Sequence, residues 1–219
     1  TYELLNINQP KLNKNKKISD IVEYRDSAQE IYFICKNLDK SYLFLQGPPG
    51  TGKTFLIAKV IFNLLKNGKK IAITSNSHKV IHNLLDRIEE NALNEKFEYK
   101  GLKKSSSSNK DSKYETANIK SLDKILDIKE TQLLAATRFE LAKDTYDQVF
   151  DFIFIDEAGQ ISIADTIAST LCAKNAILIG DPQQLPQPSQ IAHPENSGSS
   201  ILEFLLNGRI LFLMIMAYF

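Results

Sequence analysis

The sequence predicts an α/β fold in which a mostly parallel sheet carries helices on both faces. Three observations carry that expectation. Short apolar runs, Tyr42–Leu45, Ile71–Ile73, Phe152–Ile155 and Ala176–Ile179, have the length and bounding turns of buried strands. Between them lie stretches whose apolar residues recur at helical spacing, joined by short links, which is the pattern of parallel βαβ units. The first strand runs straight into Gly47-Pro48-Pro49-Gly50-Thr51-Gly52-Lys53-Thr54, a glycine-rich turn that opens a helix.

Each element follows from its residues. Positions 1–24 form a polar N-terminal segment in which Lys11, Lys14, Lys16 and Lys17 stand close together, the composition of a solvated linker. Ala28, Ile31, Ile34, Cys35 and Leu38 mark a first helix. A second runs from Thr54 to about Lys66 and stops at Gly68, a C′ glycine. Its apolar residues surround most of its circumference, so it is expected to be covered on more than one side. The third, about Lys79 to Asn91, shows Val80, Ile81, Leu84, Leu85 and Ile88 on one face.

The middle of the chain, 91–135, reads as a helical or disordered insertion. It holds the polar run KKSSSSNKDSK from Lys103 to Lys113, which cannot build a core, and helical patterning between Ile119 and Leu141. A further helix is expected from Ile163 to Cys172. Residues 209–219 are an apolar end, uncharged from Ile210 onward. That stretch is too short to span a bilayer as a helix and reads as a truncated core strand. The first residue is Thr1, not Met, so the chain reads as a fragment.

Composition narrows the classes without naming a partner. The 219 residues suit one domain or two small ones, and 43% hydrophobic with 24% charged residues excludes a disordered tail, a collagen-like rod or a coiled coil. Lys plus Arg number 27 against 26 Asp plus Glu, so the +1 balance points to neither nucleic acid nor membrane. Cys35 and Cys172 lack CxxC spacing and no secretory pattern opens the chain, which fits a reducing, cytoplasmic compartment.

The chemistry concentrates in three blocks. Residues 47–54 complete a GxxxxGK[ST] pattern between a strand and a helix. Its glycines let successive backbone N–H groups turn inward, and the helix N-terminus adds its positive end for a phosphate. Lys53 would reach the β- and γ-phosphates and the Thr54 hydroxyl would ligate Mg²⁺. Asp156 and Glu157 follow the apolar strand Phe152–Ile155. There Asp156 can hold the metal, and Glu157 can accept a proton from attacking water. Gly180-Asp181-Pro182-Gln183-Gln184-Leu185-Pro186-Gln187 follows the last clear strand, where an uncharged amide can report on a γ-phosphate.

Together GPPGTGKT, DEAGQ (Asp156 to Gln160) and GDPQQLPQ resemble motifs I, II and III of superfamily 1 helicases. The likeness is greatest to the 5′-to-3′ branch that includes the nonsense-mediated-decay RNA helicase and the Okazaki-processing nuclease-helicase. It spans about residues 25 to 206 and implies a RecA-like P-loop NTPase lobe over 25–208. It also implies ATP and Mg²⁺ as cofactors, ATP hydrolysis as the reaction and single-stranded DNA or RNA as partner. In the resemblance Gln29 matches the adenine-reading glutamine and Gln184 the γ-phosphate-sensing one. Thr74, Ser75, Ser77 and His78 fall in a stretch like motif Ia, which contacts the nucleic-acid strand; Ser/Thr clusters also cap helices, and both roles can hold.

His78 and His82 share a helical face but lack a nearby third metal ligand. The 91–135 segment falls where the family inserts a nucleic-acid-facing subdomain. Lysines outnumber acids over 95–113, and Phe97 and Tyr99 are the aromatics available for stacking. The family's motors need a second RecA-like lobe, which the length here does not hold. Two other readings stand beside the helicase lobe: a non-catalytic nucleotide-binding module, and another P-loop enzyme such as a small-molecule kinase.

Overall fold

The structure is a computed structural model that describes residues 2–6, 8–13, 27–47, 50–125, 127–181, 200–207 and 213–214. In chain order the first half forms α1 (Tyr2–Leu5), α2 (Ser27–Asn37), β1 (Tyr42–Gln46), α3 (Lys53–Lys66), β2 (Ile71–Thr74), α4 (His78–Glu95) and β3 (Gly101–Lys104). The second forms β4 (Ile119–Leu122), β5 (Leu133–Ala135), α5 (Arg138–Leu141), β6 (Phe150–Ile155), α6 (Ile163–Thr170), β7 (Ala173–Gly180), α7 (Ile201–Asn207) and β8 (Leu213–Met214). The strands make one eight-stranded sheet of order β4-β3-β5-β2-β6-β7-β1-β8. Every pairing in it is parallel.

Side-chain alternation explains why this sheet is covered twice. Leu43, Leu45, Ile71, Ile73, Phe152, Phe154, Ile177 and Ile179 join the core under α2, α3 and α4. Their neighbours in sequence, Tyr42, Phe44, Ala72, Ile153, Ile155, Ala176 and Leu178, join a second core with Leu141, Ile161 and the α7 residues Ile201, Leu202 and Leu205. Period-two strands that are apolar on both sides can only be satisfied by two helical layers. Each fully buried Leu, Ile or Phe contributes about 1.5–3 kcal/mol.

Handedness settles which helix goes where. The chain leaves β1 leftward through β2 and β3 by way of α3 and α4, then returns rightward through β6, β7 and β8 by way of α6 and α7. Right-handed crossovers put the outgoing and returning helices on opposite faces. Between α2 and α4, α3 is packed on both flanks, as its nearly all-round apolar surface requires. It ends in a Schellman motif, with Lys69 N–H donating to Leu64 O and Gly68 N–H to Leu65 O, and Gly68 takes φ 71°.

Two expectations are corrected. The 91–135 segment is not a helical or disordered insertion: α4 continues to Glu95, and β3, β4 and β5 extend the parallel sheet. Ile119, Leu122 and Ile125 imitate a helical repeat, but strand pairing overrides so short a pattern. The serine run needs no core because it bonds to itself. Ser106 N–H donates to Ser112 Oγ at 2.8 Å, Asp111 N–H to Asn109 Oδ1 at 3.0 Å, and Ser105 Oγ to Asp123 at 2.7 Å.

The second correction concerns the N-terminus, which is more than a solvated arm. Leu4 and Leu12 are buried in the two cores, Leu12 bridges Leu38, and Lys11 N–H donates to Ser41 Oγ at 2.9 Å. Lys14, Lys16 and Lys17 lie outside the described residues. At the other end, Leu213–Met214 pair with β1. No helix among the described residues is long and apolar enough to cross a membrane.

One inward strand position carries a lysine. Lys103 is fully buried, and its ammonium donates to Lys104 O at 2.9 Å and lies 3.2 Å from His78 Nδ1. Burial, then the neighbouring Lys104 charge, pulls its pKa from 10.5 down to about 8. Between those two values the unfolded chain binds more protons than the folded one, so stability rises with pH across that window. Lys103→Met should abolish this rise and lift Tm at pH 7, by about 2–4 °C for each kcal/mol recovered. Thermal melts from pH 7 to 10 test it; an equal slope in the variant contradicts the assignment.

Candidate nucleotide site and its nucleic-acid face

Register brings the motif residues to one edge. Gln46 pairs with Gly180, Ile155 with Leu178 and Thr74 with Ile155, so the residues that follow these strands emerge side by side at their carboxyl ends. Two backbone bonds extend the alignment: Gly47 N–H to Gly180 O at 3.3 Å and Asp156 N–H to Thr74 O at 3.0 Å. This is where open parallel sheets place ligands.

The loop after β1 is shaped by what its glycines permit. A Cβ on Gly47 would stand 2.9 Å from Lys53 Cδ, so the lysine stem can cross the loop only there. Gly52 holds φ 71° as the N-cap of α3. No side chain caps α3 and no acid stands in its first turn, which leaves the helix's positive end for a ligand. Lys53 Nζ donates to Gly47 O. Burial lowers the Lys53 pKa, while the Asp156 and Asp181 carboxylates act against it. Thr54 follows in the same turn, and Thr51 precedes it, half-buried. Pro48 and Pro49 lie outside the described residues.

The two adjacent acids are treated differently. Burial raises the pKa of Asp156, opposed by the Glu157 N–H and by Lys53. Asp156 Oδ1 accepts the Glu157 N–H at 2.9 Å. That bond helps hold Glu157 in the left-handed region, φ 56° and ψ 38°, a conformation costing a non-glycine residue about 1–2 kcal/mol. Burial and then the Asp156 charge raise the Glu157 pKa, while the Ser75 hydroxyl lowers it. A strained, half-buried carboxylate of raised pKa beside a phosphate loop is suited to receive a proton.

Other expected residues fall into distinct places. Ser75 is nearly buried beside Glu157, and Ser77 caps α4, its side chain accepting the Val80 N–H at 3.3 Å. Thr74 is fully buried, so it does not offer its hydroxyl to a strand on the surface; Oγ1 lacks a hydrogen-bond partner among the described residues. His78 accepts from the Lys103 ammonium at Nδ1, which leaves its proton on Nε2. A cation beside the His78–His82 pair disfavours a metal there, and no group of three His, Cys, Asp or Glu ligands occurs among the described residues.

Gln29 stands half-buried in the first turn of α2, which packs against α3. Gln184 lies outside the described residues. The expected stacking aromatics are not available: Phe97 packs on the core edge-to-face with Phe62 at 5.7 Å, and Tyr99 is buried. Among the described residues Phe55, on α3, and Phe139 are exposed phenylalanines, and the Arg138 guanidinium lies 4.7 Å from the Phe139 ring centroid.

Sequence reasoning missed two features. Asp181 is nearly buried at the end of β7 and shares the Lys53 field; the rule that found Asp156, an acid closing an apolar strand, finds it too. Asn76, Arg138 and Gln160 converge from three separate segments, which no local pattern signals. With Ser75, Ser77, His78 and Phe139, Asn76 and Arg138 line a cavity of about 590 Å³ at the start of α4.

Comparison with known proteins agrees with this geometry. The family described as an AAA domain matches residues 30–190. The DNA replication ATP-dependent helicase/nuclease DNA2 of Saccharomyces cerevisiae is 30% identical over 153 residues, 67% of this chain and 10% of that protein. Its counterpart in Gallus gallus is 29% identical over 168 residues, 74% of this chain and 17% of that protein. The chain thus spans only 10% and 17% of the length of these two relatives. Among solved structures, the UvsW helicase from bacteriophage T4 matches with TM-score 0.51 at 13% identity, covering 92% of this chain and 68% of that one, a likeness of fold. The chain belongs to the AAA domain family, as a RecA-like lobe of the superfamily 1 helicase type.

Proposed function

We propose that this chain binds Mg²⁺–ATP and hydrolyses it as the first motor lobe of a helicase acting on single-stranded DNA. The observation that carries the reading is the convergence of Lys53, Asp156 and Asp181 at the carboxyl edge, with Glu157 beside them. The ammonium and the unopposed α3 N-terminus suit the phosphates. Gln29 reads the adenine, and Gln184, in the segment after β7, senses the γ-phosphate. The naming of both curated relatives as DNA replication proteins favours DNA over RNA.

The residues present fit Mg²⁺. The Thr54 hydroxyl and the Asp156 carboxylate are hard oxygen donors and would hold the ion. When bound, the ion supplies charge neutralisation for the phosphate oxygens. The chain's own groups do the rest. Lys53 holds the β- and γ-phosphates in line, and Glu157 takes a proton from the attacking water as its oxygen bonds to the γ-phosphorus. The bond to the bridging oxygen breaks and ADP departs. The Ser75 hydroxyl lowers the Glu157 pKa against the larger effects of burial and the Asp156 charge.

Nucleic acid meets the cavity at the start of α4, where Ser77 and His78 offer sequence-independent contacts. A second RecA-like lobe closes the nucleotide cleft and supplies arginines worth ~10³–10⁵ in rate. The two buried thiols suit a cytoplasmic setting.

Lys53→Ala should keep the fold and lose nucleotide binding in a titration with a fluorescent ATP analogue; unchanged affinity contradicts the site. Glu157→Gln should bind ATP like the parent yet hydrolyse it about 10²–10⁴-fold more slowly in a phosphate-release assay. Because the Glu157 pKa is raised, the acid limb of the kcat profile should have its midpoint above 4.5, the ordinary glutamate value. A midpoint at or below that value removes Glu157 as the base.

A further inference from the structure

We infer that Arg138 is a positioning residue that couples the nucleotide edge to the strand-binding cavity. The inference rests on the functional reading above. It starts from one polar chain across four elements. Arg138, the first residue of α5, donates from Nε to Asp165 Oδ2 at 2.8 Å in the first turn of α6. Its Nη1 donates to Asn76 Oδ1 at 3.2 Å, in the loop between β2 and α4. Asn76 Nδ2 then donates to Gln160 Oε1 at 3.1 Å. Gln160 closes the 3₁₀ turn that begins after Glu157, and its N–H donates to Glu157 O at 2.9 Å.

Polarity orders this chain. Arginine can only donate, so Asn76 must show it the amide oxygen. That leaves the Asn76 NH₂ for Gln160, which must in turn present its own oxygen. Turning the Asn76 amide over breaks two bonds and turning the Gln160 amide over breaks one, so the loop bearing Asn76 and the turn bearing Glu157 are tied together. The planar guanidinium makes both of its bonds at fixed angles, which a lysine ammonium cannot reproduce.

The two ends of the chain face different ligands. Asn76 and Arg138 line the cavity with Ser77, His78 and Phe139. Gln160, bonded to Asn76, donates its own N–H to Glu157 O at 2.9 Å. A strand that displaces the cavity wall therefore shifts the hydrogen bonds that set Glu157, and a γ-phosphate that draws on Glu157 shifts the wall. Arg138 and Asp165 are also the most sheltered ion pair among the described residues, at 18% and 31% side-chain exposure, so the anchor holds while the amides respond.

The test measures the affinity of a labelled single-stranded oligothymidylate by anisotropy, with and without a Mg²⁺-bound non-hydrolysable ATP analogue, on the full chain. Wild type should change its strand affinity with nucleotide by a factor of about 5 or more. Arg138→Gln and Asp165→Asn should each bring that factor to near 1, and the double variant should lose nothing further. A merely structural pair would lower Tm in both variants and leave the factor intact. A retained factor in Arg138→Gln, or additive losses in the double variant, overturns the inference alone. A wild-type chain that binds the strand with no response to nucleotide overturns both the inference and the functional reading.

Discussion

One half-buried ammonium governs the carboxyl edge of the sheet. Lys53 Nζ pays desolvation to lie where it does, and the Asp156 and Asp181 carboxylates offset that cost. Asp156 suffers the same burial and is helped in return by Lys53 and by the Glu157 N–H. Neither charge is comfortable without the other. The mutual dependence requires β1, β6 and β7 to end close together, and the register puts their ends within two residues of one another. It also requires a glycine at 47, because the lysine stem crosses the loop at a point a Cβ would fill.

Strain sits beside that balance. Glu157 adopts a left-handed backbone that most residues avoid, and Asp156 holds it there through one short side-chain bond. A relaxed turn would be more stable but would direct the carboxylate elsewhere. Gly180 shows a similar economy: a Cβ there would lie 2.7 Å from Leu202 Cδ1, so α7 seats tightly against the strand end that precedes Asp181. Among the described residues the one acid with a left-handed backbone, Glu157, and the close approaches at Gly47 and Gly180 lie at the nucleotide edge.

Most of the fold was legible because buried parallel strands are short apolar runs, and Tyr42–Leu45, Phe152–Ile155 and their partners are such runs. The phosphate loop and the Asp156–Glu157 pair were legible because their chemistry is local in sequence. What escaped was non-local. Lys103 is a charged residue at an inward strand position, and composition alone assigns it to a solvated run. Ile119 and Leu122 suit a helix as well as an edge strand, and only pairing with Gly101–Lys104 decides. Phe97 and Tyr99 look like surface aromatics until Phe62 and Glu89 claim them. The Arg138–Asn76–Gln160 chain joins residues up to 84 positions apart and has no signature at all.

The central claim is that this edge binds a metal–nucleotide complex. The measurement that reads it most directly is a calorimetric titration of the 219-residue chain with ATP, once with Mg²⁺ and once with the metal chelated. Paired oxygens at Thr54 and Asp156 predict that affinity falls at least about tenfold on chelation, equivalent to 1.4 kcal/mol. They also predict that Asp156→Asn removes most of that difference. Equal affinity with and without Mg²⁺, or a full metal effect in Asp156→Asn, would contradict the account.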